Sequence, residues 1–374
     1  MSLERDTACI SSSCDQDAVD DLISGFGATI DAVLQPIMPS GKPCALVGFP
    51  NYPNVGDSAI WLGERRYLAQ RGISVDYVCD ATTYSPDRLA DQLKDGVILL
   101  HGGGNLGDLW PNHQRLREAV IEAFPDKKIV QLSQTIYFKE KTGLARAKSV
   151  FDRHPDLTLL VRDQRSLEFA RNEFRAPSLL CPDMAFSLGS LQRPQSPRSQ
   201  IVWLARTDIE AMGRSLRIPS GEVEQIDWME DRPSVTLCAN EFLTRQICHH
   251  PRALGRLSGP LSRTYDPLAR ERLMRGCRML SMGQVVITDR LHGHILCLLL
   301  GIPHVLLDNN YGKLRSFFET WTRDSELAVW ADSPEQALEK SGELVQRLRQ
   351  PLKSRALLRE SMSDSGHAIE DGRK

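Results

Sequence analysis

Short apolar runs alternate along this chain with longer stretches in which apolar residues recur at helical spacing. In the first half the strand-like runs are Cys44–Phe49, Ser74–Cys79, Val97–Leu100, Ile129–Leu132, Leu157–Val161 and Ser178–Leu180. The helical patterns between them are Ser58–Gln70, Asp87–Lys94, His113–Ala123, Gly143–Phe151 and Ser166–Phe174. Strands that alternate with helices predict a parallel sheet covered by helices on both faces.

The alternation resumes beyond a polar, proline-rich stretch at residues 189–200. Its predicted strands and helices are Ile201–Ala205, Asp266–Met282, Val285–Thr288, Leu291–Leu300, Pro303–Leu307, Gly312–Thr320 and Leu327–Trp330. Residues 208–262 have mixed signals. We predict a flexible tail (1–15), an N-terminal domain (16–188), a linker (189–200), a C-terminal domain (201–335), and C-terminal helices with a tail (336–374). The helical C-terminal stretch is expected to lean back on the first domain.

Composition narrows the class of protein. A length of 374 residues favours two domains, and a net charge of -2 gives no sign of nucleic-acid binding. The longest apolar run, Ile295–Leu307, is interrupted and too short to span a bilayer. The nine cysteines include no C-x-x-C pair, which favours reduced thiols in a cytoplasmic protein and argues against a zinc site.

Two loops carry the same N-x-G-D sequence, at Asn54–Asp57 and Asn105–Asp108. Each follows a predicted strand, so both are expected at one edge of the first sheet, where open α/β sheets bind ligands. The second copy follows three glycines, Gly102–Gly104, which let backbone N–H groups approach an anion close to the N-terminus of the next helix. Both common nucleotide-binding glycine fingerprints are absent. The alternative for the first copy is a structural turn in which Asp57 only caps a helix.

A third candidate site follows the predicted strand Val285–Thr288. Arg290 and His292 fall in the first turn of the next helix, where guanidinium, imidazole and free N–H groups suit a phosphate or a carboxylate. The alternative is that Asp289 caps the helix and Arg290 is merely exposed. His294 is expected to be a packed or surface residue.

Three further charged residues also follow predicted strands: Arg162, Asp183 and Arg206. Their positions place them at the same edge of a sheet as the loops. For either arginine, pairing with a neighbouring aspartate explains the residue equally well.

Together these motifs resemble the polysaccharide pyruvyl transferase family. The matching segments, which span most of residues 44–312, are Gly48–Ile60, Leu100–Asp108, Val161–Asp163, Pro182–Asp183 and Thr288–Gly293. The resemblance implies two Rossmann-like domains facing across a cleft, as in GT-B glycosyltransferases. It also implies transfer of pyruvate from phosphoenolpyruvate onto two hydroxyls of a sugar, giving a cyclic ketal and phosphate without a cofactor or metal.

The resemblance assigns phosphoenolpyruvate binding to Arg290, Leu291 and His292, with a separate arginine that is either Arg162 or Arg206. The chemistry needs anion clamps, a general acid and a general base. We expect His292 to act as the acid or as a phosphate ligand, and Asp57 to act as the base, with Asp108 as its rival. The other expected substrate-binding residues are Asn54, Gly103, Gly104 and Asn105.

Partners and alternatives follow from the same pattern. The partners are phosphoenolpyruvate and a saccharide acceptor, lipid-linked or free, with at most peripheral membrane contact. The sugar, its hydroxyl pair and the oligomeric state stay open. A nucleotide-sugar glycosyltransferase of the GT-B type is the nearest alternative, and a non-catalytic sugar- or phosphate-binding regulator on the same fold is the second.

Overall fold

Two separate parallel sheets form the framework of the computed structural model, which describes residues 13–39, 41–205, 223–250, 255–308 and 312–349. Sheet A contains β1 (Cys44–Phe49), β2 (Val75–Asp80), β3 (Val97–Leu100), β4 (Gly103–Gly107), β5 (Ile129–Tyr137), β6 (Leu157–Val161) and β7 (Ser178–Leu180). Its order is β2-β1-β3-β5-β6-β7, and β4 pairs with β5. Sheet B contains β8 (Ser199–Leu204), β9 (Val223–Ile226), β10 (Gly283–Thr288), β11 (His304–Leu307) and β12 (Ala328–Ala331), in the order β12-β11-β10-β8-β9.

Helices connect and cover these strands. In the first half they are α1 (Ser13–Leu34), α2 (Val55–Gln70), α3 (Pro86–Gln92), α4 (Pro111–Ala123), α5 (Lys141–Phe151) and α6 (Gln164–Glu173). In the second half they are α7 (Val235–His249), α8 (Ser258–Ser262), α9 (Tyr265–Ser281), α10 (Leu291–Leu299), α11 (Lys313–Phe317) and α12 (Pro334–Arg349). The predicted α/β class with parallel sheets is therefore confirmed.

Alternate residues of the buried strands face two different cores. In β1, Leu46 belongs to a core shared by both sheets, whereas Ala45 belongs to the outer core of sheet A. In β10, Val286 belongs to the same shared core and Val285 to the outer core of sheet B. Because side chains alternate between the two faces of a strand, each sheet buries one face in the shared core. The shared core holds the two sheets, and therefore the ends of their strands, in a fixed relative position.

Four elements were not predicted from the sequence: β4, β9, α7 and α8. In β4 the glycines have low strand propensity, and Gly103 and Gly107 have φ values of 127° and 131°, so the strand depends on its pairing with β5. The helix that follows the three glycines, α4, begins at Pro111, two residues before its predicted start at His113, and β4 precedes it.

The C-terminal helix packs elsewhere than predicted. Ala337, Leu344 and Val345 of α12 join the outer core of sheet B, together with Ile201 and Val305. The expectation that this helix leans back on the first domain is wrong for the described residues, since its apolar stripe is buried against its own sheet.

Two histidines of the second half are buried without serving the candidate site. His294 Nδ1 lies 2.6 Å from His304 Nε2, and His294 Nε2 lies 2.8 Å from Thr322 Oγ1. His294 is thus packed, as expected for one of its two options. Burial lowers the pKa of His304 to about 4, and burial together with His304 lowers the pKa of His294.

This pair should make the fold sensitive to mild acid. Between pH 6.5 and 4 the unfolded chain binds a proton at His304 that the folded chain does not, so stability is lost as the pH falls through this window. The shift corresponds to roughly 3 kcal/mol. Urea unfolding across this range should show a shallower pH dependence for His304→Gln than for the wild type. The exposed His249→Gln serves as the control, and equal slopes for all three proteins would contradict the prediction.

Candidate functional site

The first N-x-G-D loop presents its aspartate in a fixed position. Asn54 caps α2, because its side chain accepts a hydrogen bond of 2.9 Å from Gly56 N. Its Nδ2 and the Tyr52 hydroxyl donate to Asp57 Oδ2 at 2.9 and 2.7 Å. Burial and the charge of Asp57 raise the pKa of Tyr52, which keeps the phenol a donor. Asp57 is therefore not the helix cap, and the structural alternative proposed for it is wrong.

The glycine-rich segment lies between Asp57 and a buried arginine. A Cβ atom on Gly103 would lie 3.5 Å from Asp57 Oδ1, and one on Gly104 would lie 2.8 Å from Arg162 Nη2. The absence of side chains here lets the backbone of β4 pass between a carboxylate and a guanidinium.

Arg117 and Gln134 hold the side chain of Asn105 in one orientation. Its Oδ1 accepts from Arg117 Nη2 at 2.9 Å and from Gln134 Nε2 at 3.0 Å, and its backbone N–H donates to Gln134 Oε1. An arginine can only donate, so the amide oxygen must face Arg117. The Asn105 NH₂ group is thereby turned away from Arg117 and can donate elsewhere.

The second aspartate of the repeat has a different environment from the first. Asp108 accepts hydrogen bonds from the backbone N–H groups of Lys139 and Glu140, at 2.8 and 2.6 Å, at the start of α5. Within the described parts of the chain, no hydrogen bond joins it to Asp57 or Arg162. The first copy follows β1, whereas Asn105–Gly107 of the second copy lies within β4, the strand that follows β3, and β1 and β3 are neighbours in sheet A. These N–H groups precede Lys141, the first residue of α5, so Asp108 holds the loop before the helix rather than capping it.

Residues from both halves meet at Asp183. Arg162 Nη1 donates to Asp183 Oδ2 at 2.6 Å, and His292 Nε2 lies 3.4 Å from the same oxygen and 3.5 Å from Arg162 Nη1. Arg162 Nε also donates to Thr135 at 3.0 Å. Burial alone would raise the pKa of Asp183, but His292 and Arg162 outweigh it and hold that pKa well below its ordinary value. A buried carboxylate therefore orients two candidate donor-binding groups.

His292 reaches this position because Gly56 has no side chain. A Cβ atom on Gly56 would lie 2.6 Å from His292 Cβ and still closer to its ring. The glycine of the first loop and the histidine of the R-L-H-G motif are thus in direct contact across the two halves. Gly56 and His292 are far apart in sequence, so the sequence alone did not predict this contact.

The other residues predicted to bind the donor are Arg290, Leu291 and Arg206. Arg290 is the N-cap residue of α10 and is buried, with Nη2 donating to Asp227 Oδ1 at 2.7 Å, so the alternative of an exposed arginine behind an Asp289 cap is wrong. Leu291 is buried in the shared core. Arg206 lies outside the described residues. Their binding roles stay predictions.

Lysine 313 is a site residue that the sequence reasoning missed. Lys313, at the start of α11, is buried, and its Nζ donates to the Gly104 carbonyl at 3.2 Å. It adds a cation beside Gly104, on the same side as Arg162. Lys313 belongs to no recognisable motif. The only sequence signal nearby is Gly312, a residue type common in turns, which has a φ of 66° in the structure.

The described ranges contain no group of three or more His, Cys, Asp or Glu side chains arranged to hold a metal ion. None of their helices is both long and apolar enough to cross a membrane.

Known proteins share the sequence pattern and the fold. The family model described as polysaccharide pyruvyl transferase matches residues 54–311. Pyruvyl transferase 1 of Schizosaccharomyces pombe is 32% identical over 317 residues, covering 79% of this chain and 75% of that protein. The putative pyruvyl transferase EpsO of Bacillus subtilis is 32% identical over 289 residues, covering 76% and 87%.

A solved structure shares the fold alone. It is a protein of uncharacterised function from Klebsiella pneumoniae, 17% identical, with a TM-score of 0.54 over 82% of this chain and 99% of that one. At this identity the likeness extends to architecture and carries no statement about activity.

Proposed function

The chain belongs to the polysaccharide pyruvyl transferase family, and on that premise we propose that it moves pyruvate from phosphoenolpyruvate onto two hydroxyls of a saccharide. The observation that carries this proposal is the meeting of Arg162, His292 and Lys313 near Gly104, with Asp57 beside the neighbouring Gly103. Cationic groups and a carboxylate thus lie beside two successive residues of β4.

The donor requires several positive groups because phosphoenolpyruvate carries both a phosphate and a carboxylate. Arg162 and Lys313 supply two buried cations, and His292 supplies an imidazole beside them. Arg290 adds a guanidinium at the N-terminus of α10, where free N–H groups favour anions. This geometry supports Arg162 as the second donor arginine.

The acceptor is proposed to bind on the Asp57 side. In the first step His292 delivers a proton to the methylene carbon, a sugar hydroxyl oxygen bonds to the central carbon, and Asp57 takes the hydroxyl proton. Return of that proton to His292 resets both groups. In the second step the other hydroxyl oxygen bonds to the same carbon, the bond to phosphate breaks, and the second hydroxyl proton leaves with phosphate. The two protons are conserved and no redox cofactor is required.

The finer architecture belongs to the same proposal. The halves act as the two Rossmann-like domains of a GT-B-type enzyme, and the reaction takes place in the cytoplasm on a lipid-linked or free acceptor. Two parallel sheets with site residues from each half support this arrangement.

Ligand-dependent melting separates the candidate functions. Phosphoenolpyruvate should raise the melting temperature, and UDP- or GDP-sugars should not. Phosphate release that requires both phosphoenolpyruvate and a galactoside or glucoside would identify a transferase. Stabilisation by nucleotide sugars alone would favour the glycosyltransferase, and binding without phosphate release would favour the regulator.

Removing the Arg290 guanidinium should weaken donor binding. Loss of a charge-assisted hydrogen bond costs about 1.5–3 kcal/mol, so Arg290→Ala should raise the KM for phosphoenolpyruvate roughly 10- to 100-fold. Steady-state phosphate release measures it. Arg198→Ala, which removes an exposed arginine paired with Glu224, is the matched control. Near-normal kinetics in Arg290→Ala would sink the assignment.

A further inference from the structure

A buried glutamate of α2 holds the start of the glycine-rich segment. Glu64 is fully buried, and its Oε1 accepts from Gly102 N at 2.8 Å. Its Oε2 lies 2.8 Å from His101 Nδ1, and because a carboxylate only accepts, the imidazole is the donor. One carboxylate therefore fixes both residues that precede β4.

The segment beyond this anchor has little freedom to adjust. A Cβ atom on Gly102 would lie 2.9 Å from the Ser133 carbonyl oxygen, so the backbone is already pressed against β5. The next two residues, Gly103 and Gly104, approach Asp57 and Arg162 respectively. Any movement of Gly102 would be passed to both contacts, because interiors packed this closely transmit displacement.

The same helix carries the anchor and the proposed base. Glu64 and Asp57 both belong to α2, and Glu64 reaches the glycine segment two turns after Asp57. The anchor thus sets where α2, and Asp57 with it, lies relative to the donor-binding groups.

The partner of Glu64 carries a further unsatisfied group. His101 is 5% exposed, and its Nε2 has no hydrogen-bond partner in the described part of the chain. Burial alone would lower the pKa of His101, but the charges of Glu64, Asp57 and Asp183 outweigh it and raise that pKa. His113 of α4 also faces it. Most buried polar atoms have a hydrogen-bond partner, so this ring nitrogen calls for an explanation.

We propose that Glu64 and His101 are positioning residues, a buried pair that sets the distance of β4 from Asp57 on one side and from Arg162 on the other. The structural part of this proposal stands on the contacts themselves. Its consequence for turnover rests on the proposed function.

A double-mutant cycle tests the pair. Glu64→Gln keeps the shape of the side chain and removes its charge, and His101→Leu removes the imidazole donor. Each should lower kcat/KM about 100-fold through misplacement of β4, and the double variant should be no worse than either single one. His101→Asn, which can still donate to Glu64, should recover at least part of the loss.

Two readouts do not depend on pyruvyl transfer. Amide hydrogen exchange at residues 101–104 should become faster in both single variants. The imidazole of His101, followed by nitrogen NMR, should titrate at lower pH in Glu64→Gln. The matched control is His154→Gln, a buried histidine bonded to the Phe124 carbonyl on the opposite edge of sheet A, and it should change neither readout.

The outcomes distinguish the two proposals. Additive losses in the double variant, or unchanged exchange in a folded Glu64→Gln protein, would overturn the positioning pair. A wild-type protein without pyruvyl transfer would instead overturn the proposed function, and the exchange and titration data would still test the pair. If Glu64→Gln does not fold, His101→Leu and His101→Asn carry the test through amide exchange at residues 102–104 and through kcat/KM.

Discussion

Replacing Arg162 with methionine should abolish measurable pyruvyl transfer and destabilise the protein by about 3–5 kcal/mol. The substitution removes a cation proposed to bind the donor and leaves His292 and the Ala185 N–H beside Asp183, which is fully buried. Removing one member of a buried ion pair is costly because the other charge stays desolvated. The Thr135 hydroxyl would lose its donor as well.

Urea unfolding and phosphate release together measure this effect. Arg162→Lys keeps the charge but cannot reproduce the two directed N–H bonds to Asp183 and Thr135, so it should recover stability better than activity. Arg153→Met, at an arginine outside the site with local contacts to Ser149, should change neither property. Turnover close to wild type in Arg162→Met would remove this arginine from the mechanism.

Substituting Gly56 with alanine should separate activity from stability. Alanine is the better helix former by up to about 1 kcal/mol, and Gly56 lies in the first turn of α2. The added methyl group would overlap His292, however, and the ring would have to leave Asp183 and Arg162. A misplacement of about 1 Å at a reacting group can cost on the order of 100-fold in rate.

The expected result is a folded protein whose kcat falls about 100-fold. Gly25→Ala and Gly27→Ala are matched controls on α1, where nothing lies within 4 Å of the added carbon, and they should retain full activity. Full activity in Gly56→Ala would mean that the contact with His292 is not needed for transfer.

The first loop is also held from the second half of the chain. Arg272 of α9 donates to the Pro50 carbonyl at 2.9 Å, and Arg275 donates to the Trp228 carbonyl at 2.9 Å. Asp231 accepts from both arginines. The first loop is thus held by a residue more than half the chain away in sequence.

The most regular elements were predicted most accurately. Strands β1, β3, β6 and β7 have the predicted bounds. Apolar runs between helical patterns are reliable because a strand buried on both faces needs a continuous apolar sequence. The elements that were missed, β4 and α7, have glycine-rich or mixed sequences, and tertiary pairing rather than local propensity decides their structure.

By itself the sequence determined the α/β class, the family and the sheet edge on which both N-x-G-D loops lie. These conclusions depend on local periodicity and on short motifs whose residues are adjacent in the sequence. Only the tertiary structure decided that Asp57 lies beside Gly103 while Asp108 binds the backbone just before α5, and that Gly56 makes room for His292. It also brought in Lys313 and the pair Glu64–His101. Such roles depend on contacts between residues distant in sequence, which identical four-residue motifs cannot distinguish.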